Sequence, residues 1–162
     1  MKDIKMLVAG CEADLRSIGI DPGCDITWVI NGRAKTRWGM CRKKISGECE
    51  ISISRRLLED DVDDWAAKNT IMHELLHCVP GADGHSGLWL KLANEVNRKL
   101  PQYHIKQTEA PKEKGLAPVE PKYILECTHC KQQFHRHRMS SAVRNPQRFR
   151  CGKCAHPLVR VR

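Results

Sequence analysis

Residues 73–77 read His-Glu-Leu-Leu-His, inside a stretch whose apolar spacing is helical. A helix of about 3.6 residues per turn sets His73 and His77 one turn apart on the same side. Two imidazoles held that way can share one metal ion. Glu74 then falls beside the ion's open side, where a carboxylate can accept a proton from water. Histidines four apart also arise by chance on ordinary helices. The acid at the second position and further ligand candidates downstream make this pattern a metal-dependent hydrolase signature.

Catalytic zinc sites usually have three protein ligands and one open position, so a third donor is needed. His85 lies eight residues beyond His77, after a turn built on Gly81 and Gly84 that can fold it back over the ion. Asp83 lies six beyond, but a third ligand at that spacing belongs to a motif with Gly where this chain has Pro80. Glu95, eighteen beyond, would sit on the next helix. His85 is favoured because neutral imidazole ligates zinc well and the loop has the needed glycines. Glu95 is the runner-up.

A second metal signature lies near the C-terminal end. Cys127-Thr-His-Cys130 and Cys151-Gly-Lys-Cys154 are two paired-cysteine knuckles with twenty residues between them. That spacing marks a structural four-cysteine zinc site, in which four thiolates close a tetrahedron and leave no place for water. A module of about forty residues is too small to fold on apolar burial alone, so metal binding should supply much of its stability. Between the knuckles stand Lys131, Arg136, Arg138, Arg144, Arg148 and Arg150, with Phe134 and Phe149 interleaved. Arginines suit phosphate contacts and an exposed aromatic can stack on an unpaired base. At least one of the two phenylalanines is expected in the module's own small core. No recognition helix with base-reading residues is evident, so nucleic-acid binding should show little sequence preference.

Charge agrees with that division. Residues 1–100 hold 15 Lys/Arg against 15 Asp/Glu, whereas residues 101–162 hold 13 against 4, so the whole excess of +9 lies in the C-terminal part. A basic appendage on a neutral body points to a polyanionic partner, nucleic acid first. No apolar run approaches the ~18 residues of a membrane span. The N-terminal stretch lacks a signal-peptide pattern, so the nine cysteines read as thiols and metal ligands in a reducing cytoplasm rather than as disulfides.

Along the chain, Ile4, Leu7, Val8, Cys11, Leu15 and Ile18 recur at helical steps. Ile26–Ile30 is β-rich, Asn31-Gly32 is a hairpin signal, and a second strand is expected from about Ala34 to Met40. Ile51–Ser54 alternates like a half-buried strand. Asp60, Asp61, Asp63 and Asp64 announce the metal-site helix, which should run to Val79 before Pro80-Gly81. The next helix, about Ser86 to Leu100, has Leu88, Leu92, Val96 and Leu100 as its expected buried stripe. Residues 106–121, with Pro111, Pro118 and Pro121 among Lys and Glu, read as a linker.

His-Glu-Leu-Leu-His followed by Gly84-His85-Ser86-Gly87-Leu88-Trp89 resembles the SprT-like (Spartan-type) metallopeptidases. Arg37-Trp38-Gly39-Met40-Cys41 and the Ile51–Ser54 strand resemble the strands that precede that family's active-site helix. Tyr123 to Val159 resembles its C-terminal zinc ribbon. The resemblance implies an α+β protein with a zincin-like domain over residues 1–105, a linker over 106–121 and a four-cysteine zinc ribbon over 122–162. It also implies a catalytic and a structural zinc ion, with Glu74 as general base and His73, His77 and His85 as ligands. The implied substrates are proteins associated with or crosslinked to DNA. The competing reading is a nucleic-acid-binding or regulatory protein whose helix site holds zinc without cleaving; the presence of Glu74 favours the enzyme.

Overall fold

A computed structural model describes residues 1–34 and 36–162 of the chain. They form two compact units, Met1–Pro118 and Val119–Arg162. The architecture is α+β, as expected.

In the first unit, α1 (Ile4–Ser17) is capped by Asp3, whose side chain accepts from the Lys5 N–H, and buries Leu7, Val8, Cys11 and Leu15. Helix α2 (Asp64–Cys78) carries the His-Glu-Leu-Leu-His pattern and starts at Asp63, whose carboxylate accepts from the Trp65 N–H. It packs against α1, against α3 (Gly87–Lys99) and against two strands. Ile71, Met72, Leu75 and Leu76 are all fully buried, so α2 is the centre of the core rather than a surface helix with one apolar stripe. Among the described residues, no helix is long and apolar enough to cross a membrane.

The sheet departs from the expected order. Strands β1 (Ile26–Asn31), β2 (Gly39–Lys43) and β3 (Cys49–Ser54) are arranged β1-β3-β2, with β1 parallel and β2 antiparallel to β3. Asn31-Gly32 therefore does not close a hairpin. The Asn31 side chain accepts from the N–H groups of Arg33 and Ala34 at 2.9 and 3.0 Å, a local turn that sends the chain to the far edge of the sheet. The hairpin lies one connection later, between β2 and β3, where Lys44 N–H donates to the Glu48 carbonyl at 2.8 Å and Gly47 takes φ +91°. Of the second strand expected from Ala34, Lys35 lies outside the described residues and the strand itself begins at Gly39. Strand β3 is buried along almost its whole length because it is the central strand, covered on both faces.

Helix α3 is rotated from the expected stripe. It buries Trp89, Ala93 and Val96, while Leu88 is 39% exposed and Leu92 and Leu100 are only partly covered. The large indole takes the inward position, and the leucine register moves aside.

The largest correction concerns residues 106–118, which are no linker. They belong to the first unit and bury Lys114 and Leu116 against it. Pro111–Lys114 forms a helical turn, opened by Pro and closed by Gly115 at φ +68°.

In the second unit, β4 (Tyr123–Cys127) lies between β5 (Gln133–Arg136) and β6 (Leu158–Arg160), with both pairings antiparallel. Its apolar core is small: Leu125, Val143 from the short α4 (Ser141–Arg144), Leu158, and the buried Cys127 and Cys151, with Phe134 packed alongside.

Candidate metal centre

Helix α2 sets His73 and His77 one turn apart, and the loop after it returns His85 to the same point. Gly81 at φ +81° and Gly84 at φ +68° take the left-handed conformations that make so short a return possible. The three Nε2 atoms converge: His85 Nε2 is 2.9 Å from that of His73 and 3.1 Å from that of His77. The backs of two rings are held by main-chain carbonyls. His73 Nδ1 contacts the Lys106 oxygen at 3.1 Å, and His77 Nδ1 contacts the Ala82 oxygen at 3.4 Å. A proton on each Nδ1 satisfies those carbonyls and turns the Nε2 lone pairs inward, toward one another. Converging lone pairs repel unless a cation sits between them, so this donor set fits a metal ion. Burial, with His77 and His85 alongside, pushes the His73 pKa down to about 3; burial also lowers that of His77. Both rings are held in the neutral form that ligates.

Of the other candidate ligands, Asp83 pairs with Lys43 at 2.8 Å and Glu95 pairs with Lys99 at 2.8 Å along its own helix. Neither joins the cluster. Trp89 packs against all three imidazoles, with ring centroids 4.8, 5.3 and 4.7 Å from those of His73, His77 and His85. It is a rigid floor that limits how far the rings can turn.

Glu74, 6% exposed, lines the same cleft of about 630 Å³ as the three histidines. Burial first, and then the neighbouring Cys41, raise its pKa to about 8, while a backbone hydrogen bond from Cys41 opposes the shift. Strand β2 presses close at this point: a Cβ built on Gly39 would lie 2.7 Å from Glu74 Cγ. Gly39→Ala should therefore displace the carboxylate without touching the imidazoles. Metal content should be unchanged and hydrolysis should fall by at least about tenfold, since misplacement of about 1 Å costs that much or more. Undiminished turnover by Gly39→Ala would show that the acid's position is not set by this strand.

The segment whose composition reads as a linker is the cleft's other wall. Its Lys106 carbonyl orients His73, and Gln107 Nε2 donates to the His85 carbonyl at 2.9 Å. Asn69, four residues before His73 on α2, donates to the Tyr103 carbonyl at 2.7 Å and to Glu109 Oε1 at 3.0 Å. It accepts from Lys114 Nζ at 2.6 Å, and that ammonium pairs with Glu109 at 2.5 Å. Reasoning from sequence missed these residues. The available signal was Pro111 followed by Gly115, the start and stop marks of a helical turn. Tyr103 and His104, between α3 and this wall, do not line the cleft: the Tyr103 hydroxyl donates to Asp14 at 2.7 Å, and His104 is exposed beyond α3.

In the second unit all four expected cysteines come together. Cys127 and Cys154 Sγ are 3.4 Å apart, Cys130 and Cys151 3.6 Å, and the four thiols form one cluster able to hold a metal ion. Lys131 and Ala155, each just after a knuckle, take φ +60° and +58°, and their N–H groups bond back to the Cys127 and Cys151 carbonyls. Lys131, Arg136, Arg138, Arg144, Arg148 and Arg150 are all exposed, with Lys131 3.6 Å from Glu126. Phe134 is drawn into the small core, whereas Phe149 is 37% exposed.

An α+β body whose central helix and following loop gather three imidazoles and a buried acid is a metalloprotease-like fold with a candidate metal site. The SprT-like family matches residues 14–109, more than half of the chain, and the protein belongs to that family. Among curated proteins none matches the chain.

Proposed function

We propose that this protein is a zinc-dependent endopeptidase acting on proteins associated with DNA. The observation that supports it most is the convergence of His73, His77 and His85 Nε2 in one cleft with a buried carboxylate. His73, His77 and His85 would hold the catalytic zinc, and Cys127, Cys130, Cys151 and Cys154 a structural one. Zinc in the imidazole cradle supplies Lewis acidity, polarising a peptide carbonyl and making water acidic near neutral pH. Glu74 then takes the proton from the attacking water and returns it to the leaving amine. Its raised pKa suits a group that must hold a proton briefly, and a cation nearby draws that value back down. The main-chain carbonyls of Lys106 and Ala82 keep the ligand imidazoles in the donating tautomer, and Trp89 excludes water from behind them.

The ribbon directs the activity to DNA. Six exposed basic side chains, of the kind that pair with phosphates, and the exposed ring of Phe149, of the kind that stacks on an unpaired base, support this reading. Binding with little sequence preference follows, since α4 is a single turn and too short to read a groove. The setting is intracellular, at the nucleoid.

The test is cleavage of a DNA-bound protein, with and without single-stranded DNA. The native chain should cleave faster with DNA, and replacing Arg136, Arg138 and Arg148 by Glu should remove the enhancement but leave slow cleavage of free protein. With about five phosphate contacts, the log–log salt slope of affinity for duplex DNA should be roughly −4 to −5. A flat salt response would replace DNA with a protein partner.

A further inference from the structure

Three cysteines outside both sites converge inside the first unit, and a fourth, Cys41 from the wall of the cleft, lies beside one of them. Cys24 precedes β1, Cys41 lies in β2, Cys49 opens β3 and Cys78 ends α2. The Sγ atoms of Cys24, Cys49 and Cys78 all lie within 4.8 Å of one another. Cys41 Sγ is 3.6 Å from that of Cys78. A tetrahedral thiolate site with metal–sulfur bonds of about 2.3 Å needs sulfurs roughly 3.8 Å apart, whereas a disulfide needs about 2.05 Å. The Cys41–Cys78 separation suits the first, like the paired ribbon thiols, and the mutual separations of Cys24, Cys49 and Cys78 are short enough for one ion to be shared.

A buried cysteine is often only a small apolar residue. Cys11 is one of these: it is fully buried and its thiol contacts the Lys68 carbonyl at 3.7 Å. Cys24, Cys49 and Cys78 differ, because three remote stretches of chain deliver their sulfurs to one place, with Cys41 beside Cys78. The backbone around them is tied tightly. Cys49 N–H donates to the Asp25 carbonyl at 2.9 Å, and the loop at Gly23 packs against Pro80, just past the end of α2.

We propose that Cys24, Cys49 and Cys78, completed by Cys41, form a further metal site that holds a soft closed-shell cation, of which Zn2+ is the common representative. Cys49 and Cys78 are nearly fully buried, Cys24 and Cys41 half-buried, and four thiolates leave no open position on the ion, so the proposed site is structural. It joins the end of the His-Glu-Leu-Leu-His helix to β1, β2 and β3. Cys41 also gives its backbone hydrogen bond to Glu74, so an ion here would fix the strand that positions that carboxylate.

Native mass spectrometry of the full chain tests this by counting zinc. Three ions per chain are expected. Cys24→Ser with Cys41→Ser should remove one, and Cys127→Ser with Cys130→Ser a different one. The cluster can also be read without being mutated. In the ribbon variant, cobalt(II) should still give intense thiolate-to-metal charge-transfer absorption in the near ultraviolet, and His85→Ala should not abolish it. That absorption is independent of peptidase activity, so it stands or falls separately from the proposed enzyme. Absence of a thiolate band in the ribbon variant, with a native count of two, would overturn the proposal. A chain mass lower by two hydrogens, locating a disulfide among these cysteines, would overturn it in favour of a redox pair.

Discussion

Glu74→Gln should retain its metal and its fold but lose the proposed proteolysis, by about 10³-fold or more, in a cleavage assay with metal content measured in parallel. The amide preserves the shape of the side chain and can still accept the Cys41 backbone hydrogen bond, so the cleft is not rebuilt. What disappears is the ability to take a proton, and general acid–base catalysis by a placed side chain contributes about 10² to 10⁴. The three imidazoles are held by the Lys106 and Ala82 carbonyls and by Trp89, none of which depends on Glu74. Metal retention and activity loss therefore separate cleanly. Full activity in the amide variant would remove Glu74 from the chemistry and leave the cleft as a binding site.

Lys114→Ala costs the first unit about 3–5 kcal/mol in chemical denaturation, the range for breaking a buried pair. Its ammonium is 2% exposed and its partner Glu109 is 7% exposed, so neither is rescued by solvent. Removing one member of a buried ion pair strands the other, and that is the expensive change. Asn69 would lose the donor to its side-chain oxygen as well, one turn before His73. Replacing both members, Lys114→Met with Glu109→Gln, should recover most of the loss, because a buried pair is worth little over neutral residues of similar size. A cost below about 1 kcal/mol for the single change, the level of a solvent-exposed pair, would mean that water reaches Glu109 and that this wall is loose.

Much of the site was legible because its chemistry is local in sequence. His73, Glu74 and His77 share one helix, His85 follows across a glycine-marked loop, and the ribbon thiols arrive as two spaced pairs. Periodicity identifies α1, and the acidic run before α2 with Pro80-Gly81 after it marks where that helix starts and stops. What could not be read depends on partners far away in the chain. Strand order was hidden because Asn31-Gly32 gives the same local signal whether or not its flanking strands pair. The register of α3 is set by Trp89 meeting the imidazoles, a preference no leucine count reveals. Residues 106–118 look solvated by composition, yet Lys114 is buried because Glu109 and Asn69 await it. Cys24, Cys49 and Cys78, with no spacing motif among them, were equally invisible because strand order and the end of α2 bring them together.

The carbonyl of Lys106 behind His73 has a consequence for the order of events at birth. A ribosome delivers this protein from its N-terminal end, so the histidines emerge well before the backbone that steadies them. Until the stretch through Leu116 is free to fold, the nascent chain carries its ligands without their brace. The imidazole cradle should therefore be completed only as the second unit is being synthesised.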